Sequence, residues 1–122
     1  MPDIPIHKQM FTIRREQFAV LDEHLIAPFE ARVRKHVAAA FPELWTPMGE
    51  LAAQRCVSEA VACARRWGMH SELDVVRFVD LAFALGPLFD HEPRFRAILE
   101  SQVSAAARID ALLARVRNDM ES

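Results

Sequence analysis

The side chains best suited to chemistry in this sequence are two cysteines, five histidines and a scatter of carboxylates. Cys56 and Cys63 lie on what reads as one helix. Their spacing separates them by about 10 Å along the axis, too far for a disulfide between them. Neither has a histidine within a helical turn to draw off its proton, so both are expected to be small buried hydrophobes rather than nucleophiles. His7, His24, His36, His70 and His91 fall in loops and on different faces. No His-x-x-x-His or His-Glu-x-x-His spacing brings two of them together, and no metal is expected. Gly49, Gly68 and Gly86 are isolated, so no glycine-rich loop offers a phosphate cradle. Glu16, Asp22, Glu23, Glu30 and Glu59 are interleaved with arginines like a solvated helix face, and no Gly-x-Ser-x-Gly nucleophile motif occurs. The expectation is a protein that is not an enzyme and carries no catalytic residue, metal or cofactor. A pocket gathering His24, His36 or His91 with carboxylates would point instead to a small hydrolytic or metal-dependent enzyme.

Composition bounds what positions these groups. A chain of 122 residues has the size of one domain, and 52% apolar with 26% charged residues is a globular balance rather than a disordered one. Three glycines and no tyrosine, against many alanines, leucines and arginines, favour helix over strand. The expected fold is all-α: a single-domain bundle of four to five helices over 13–118, with a long C-terminal helix. An extended arm, 1–12, precedes it and a short tail, 119–122, follows. A net charge of -2 and a pI near 6.2 supply no positive field for a nucleic acid backbone. Met1 to Met10 lacks the charged start and apolar core of a signal peptide. The longest strongly apolar run, Leu81 to Phe89, falls well below the roughly 20 residues that span a bilayer. No membrane association is expected, and the expected compartment is the cytoplasm.

Periodicity places the helices. From a Thr12 cap, Phe18, Leu21, Leu25, Phe29, Val33 and Val37 recur at spacings of three and four, with Pro28 predicting a kink or a break. Arg14, Arg15, Arg32, Arg34 and Lys35 alternate with acids on this helix and read as solubilising. Phe41-Pro42 is expected to end it. Thr46-Pro47 predicts the start of a second helix, which Gly68 ends. Ser71 caps a third, apolar nearly all round and hence central, ended by Gly86-Pro87. Its breaks, Asp74, Arg77 and Asp80, are spaced to form a local ion-pair row. A fourth helix, opening at Asp90 to Pro93, carries Phe95, Leu99, Ile109, Leu113 and Val116 on one stripe. At about 25 residues it reaches some 37 Å, more than the third helix covers. Those five residues are therefore candidates for binding a partner, or for pairing two copies of the chain as a homodimer.

Several of these residues also form an ordered pattern: Ile13-Arg14-x-x-Gln17-Phe18-x-x-Leu21, Phe41-Pro42, Trp67-Gly68-Met69, Glu72-x-Asp74-Val75-x-Arg77-Phe78-Val79-x-Leu81, Leu85-Gly86, Phe89-Asp90 and Pro93. The pattern resembles small helical accessory proteins encoded in bacterial type VI secretion clusters, beside spike proteins, PAAR-repeat tips, DUF4123 adaptor chaperones and effectors. It spans residues 13 to 99, and its most specific part runs from Trp67 to Asp90. Two features depart from it: Trp67-Gly68 stands where Tyr-Gly is more frequent, and the chain continues well beyond the point where such proteins tend to end. The resemblance implies an accessory factor or co-chaperone that helps an adaptor load an effector onto the spike. Its partners would be an adaptor chaperone, an effector or a spike component. An immunity protein that neutralises a cognate toxin is the alternative. The resemblance carries no catalytic residues with it.

Overall fold

Prolines set two of the boundaries in the computed structural model, which describes residues 23–121. The Thr12 cap, Phe18, Leu21 and the 1–12 arm lie outside the described residues. A 3-10 turn, Glu23–Leu25, leads into α1, Ile26–Ala40, so that Pro28 falls in the first turn of the helix. Its missing N–H is there an amide that would have had no partner, so α1 runs through Pro28 without a break. Phe41-Pro42 ends α1 as expected, yet it also starts α2, Pro42–Met48, with Pro42 in the first turn. Thr46-Pro47 therefore does not open the next helix: Pro47 sits inside α2. Gly49, at φ +91°, makes the corner into α3, Glu50–Arg66.

The end of α3 is a glycine cap. The amides of Gly68 and Met69 donate to the carbonyls of Arg65 and Ala64, both at 3.0 Å, the paired bonds of a helix terminated by a left-handed residue. Gly68 holds φ +90°, and a Cβ there would also stand 3.2 Å from the Arg108 guanidinium. The α4 helix, Glu72–Leu85, follows with the Ser71 hydroxyl accepting from the Asp74 amide at 3.1 Å. As its composition predicts, α4 is central: Leu73, Val75, Val76, Phe78, Val79, Leu81 and Ala82 are all buried, and α1, α3 and α6 pack around it.

Two expectations about charge and length are corrected. The α4 charges do not form a local row, because two of them reach other helices. Arg77 pairs with Asp110 at 3.5 Å, and Asp80 accepts from His36 at 2.8 Å. The long fourth helix is two helices, α5, Pro93–Leu99, and α6, Ala105–Glu121. Ser101 turns its hydroxyl onto the Ile98 carbonyl and Ser104 caps the Ala107 amide, so a serine at each end of the corner competes with helix continuation. The α6 helix folds back against α5 and α4, and Arg94 pairs with Asp119 across the open end of the hairpin. The described residues thus form an all-α bundle of six helices and no strand.

Arg108 ties the hairpin to the rest. Its Nη1 donates to the carbonyls of Trp67, at 2.7 Å, and Leu99, at 3.0 Å. One cation thereby serves the negative ends of both α3 and α5.

Candidate functional site

The five C-terminal candidates do not form an open face. Phe95, Leu99 and Ile109 are closed off within the chain, and Leu113 and Val116 pack partly buried against the same core. The stripe that looked too long for its neighbour finds cover because the helix breaks at 100–104 and doubles back. An intramolecular seam thus occupies the residues read as a partner or homodimer surface.

Among the described residues, an apolar groove of about 490 Å³ lies elsewhere, between α2, α3 and α4. Leu44 and Met48 of α2, Cys56 of α3, Phe78 and Phe83 of α4, and Leu88 all line it. Leu44 and Met48 are both more than one-third exposed and Leu88 is 64% exposed. The four-residue spacing of Leu44 and Met48 puts them on one side of α2. Leu88 is presented because Gly86, at φ +113°, stops α4, and Pro87 blocks its continuation. A 3-10 turn, Phe89–His91, then buries Phe89 between Phe78 and Phe95, with ring centroids 5.1 and 5.7 Å away.

That turn also fixes the polar end of the groove. A second cavity of about 280 Å³, lined by Cys63, Arg66, Trp67, Asp90, His91 and Arg96, shares four of those residues with the first. Asp90 is almost fully buried, and its Oδ2 accepts from the Trp67 indole at 2.9 Å and the Cys63 thiol at 3.3 Å. A buried carboxylate with two donors is a structural tie between α3 and the 3-10 turn. Burial and the neighbouring Asp90 push the Cys63 thiol up to about 11, the wrong direction for a nucleophile. The expectation of two buried cysteines is only half met, since both are partly exposed and both line the groove.

Of the described histidines, His91 is the one at this site, with its Nε2 4.0 Å from Asp90 Oδ1. That separation is too long for a hydrogen bond. The thiol proton points to the carboxylate rather than to an imidazole, so the nucleophile-to-base contact of a cysteine hydrolase is not formed. His36 is occupied by Asp80 on the α1–α4 seam, and His24 precedes α1. Among the described residues no three His, Cys, Asp or Glu side chains are placed to hold a metal ion. No helix among them is long and apolar enough to cross a membrane.

Periodicity alone missed this site. Leu44 and Met48 belong to a helix too short to show a repeat, and Leu88 to a turn. The available signals were a large apolar residue directly after Gly-Pro and the Cys56, Cys63 and Arg66 positions along one side of α3. No family model matches the chain, and neither a curated protein nor a solved structure matches it at a significant level.

Proposed function

We propose that this protein is a binding module for another protein, taking an apolar segment of its partner into the groove between α2, α3 and α4. The observation that carries this reading is the exposure of Leu44, Met48 and Leu88 around a preformed apolar trough. Large side chains held out of a core by a short helix and a Gly-Pro turn are what a recognition groove requires. Within the site, Asp90 and Cys63 are engaged in holding its walls, which supports binding over catalysis. The sequence resemblance supplies the setting: an accessory factor or co-chaperone, in the cytoplasm of the producing cell, that assists an adaptor in loading a type VI effector onto the spike.

Co-expression with an adaptor and effector of the kind the resemblance implies tests both parts. A stable complex with the adaptor or its effector, lost in the double variant Met48→Glu and Leu88→Glu, is the expected result. Complex formation untouched by that variant moves the interface away from the groove. Rescue of cells from the neighbouring toxin, without a change in its export, replaces loading by immunity.

A further inference from the structure

The groove is chemically lopsided along its length. From Cys56 to Arg66 it follows α3 for about 15 Å, from the end that α2, carrying Leu44 and Met48, joins through Gly49 to the end with Arg66, Arg96 and His91. The charges at the basic end are not equivalent. Arg96 is held by Glu100 at 2.9 Å and lies 5.7 Å from the Trp67 ring. Asp90 is buried and accepts from two donors. Arg66 differs: its side chain reaches the Cys63 thiol, but among the described residues no carboxylate lies within ion-pairing distance of it.

Nor is Arg66 needed to finish its own helix. The last carbonyls of α3 are met by the amides of Gly68 and Met69 and by Arg108. Its exposed head group lines both cavities instead. Glu59, two turns earlier on α3, also lines the groove and disfavours an acid in the middle.

Resting on the protein-binding reading above, we infer that the groove selects a segment with an apolar anchor at the Leu44–Met48 end and a carboxylate about 15 Å away, received by Arg66. In a helical ligand that distance is about ten residues, and in an extended one about four to five. The apolar part supplies affinity, and the charge fixes which way the segment lies.

A library of random 12-residue peptides displayed on phage, panned against the full chain, tests this directly. The expected outcome is enrichment of apolar residues with Asp or Glu at one of those spacings. Against Arg66→Glu, the acid should give way to Lys or Arg while the apolar residues persist. Arg66→Lys should keep the acid preference, which separates a charge effect from misfolding. A synthetic peptide from the enriched set should bind about fivefold more weakly when its acid is replaced by the amide. Apolar enrichment with no acid preference, or an acid preference unchanged in Arg66→Glu, overturns the inference and leaves the groove standing as an interface. Peptides recovered equally well by the Met48→Glu and Leu88→Glu double variant overturn both.

Discussion

Two apolar seams run beside α4, and they have opposite fates. On one, α5 and α6 fold back so that Phe95, Leu99, Ile109 and Leu112 become core. On the other, α2 ends after seven residues, and Leu44, Met48 and Leu88 stay in contact with solvent. Each seam is built from residues with helical or turn signals that look alike in sequence. Among the described residues the difference is which seam is covered: a serine-capped corner sends α6 back over the first, whereas Gly86-Pro87 leads the chain past the second. Apolar content alone therefore says little about which surface a partner meets.

Removing bulk from each seam should therefore have unequal effects. Leu112→Ala, on the covered side, is expected to cost about 2–5 kcal/mol in urea-induced unfolding, through lost transfer energy and a cavity. A smaller effect there would mean that the hairpin packs loosely and that α6 is available to partners after all. Arg108→Met retains the aliphatic stem but leaves the Trp67 and Leu99 carbonyls without their donor. Its expected cost is about 2 kcal/mol, with accelerated amide exchange near both helix ends.

A pH series probes the α1–α4 contact, which belongs to neither seam. The hydrogen bond to Asp80 raises the His36 pKa against the opposing effect of burial. This stabilisation is fully present below the ordinary imidazole value of about 6.5 and is lost as pH rises through the higher folded value. Both groups are partly exposed, so the wild-type advantage over Asp80→Asn should shrink by about 0.3–1 kcal/mol on going from about pH 5.5 to pH 8.5. Equal slopes for the two proteins would show that the contact is not formed in solution. The smallest effect is expected on the open side: Leu88→Ser should leave stability within about 0.5 kcal/mol of wild type while weakening peptide capture. A large loss of stability would turn the groove into core.

Much of the architecture was legible in the residues. The apolar run of α4, its Ser71 cap and the stops at Gly68 and Gly86 each follow from one local rule, and all three hold. What failed were boundaries at which two rules compete. Pro42 and Pro47 are both plausible first residues, and the choice between them was settled by Trp45, whose ring is buried and whose indole donates to Glu50. Residues 100–104 continue the helical spacing of their neighbours, so the corner there depended on two serine side chains that periodicity ignores. The site was less legible than the fold for a related reason: the groove is assembled from a seven-residue helix, one side of α3 and a turn, and the bond from Trp67 to Asp90 joins residues 23 apart. The motif residues Gly86 and Asp90 line the groove and Trp67 the cavity beside it, a proximity that their order along the chain does not indicate.

Arg108 has a wider reach than its two hydrogen bonds suggest. Because it grips the carbonyl of Trp67, and the same tryptophan steadies Asp90 through its indole, a strut runs from the last helix to the wall of the trough. A single residue, Trp67, is thus the joint at which the C-terminal hairpin, the end of α3 and the turn carrying Asp90 are fastened to one another.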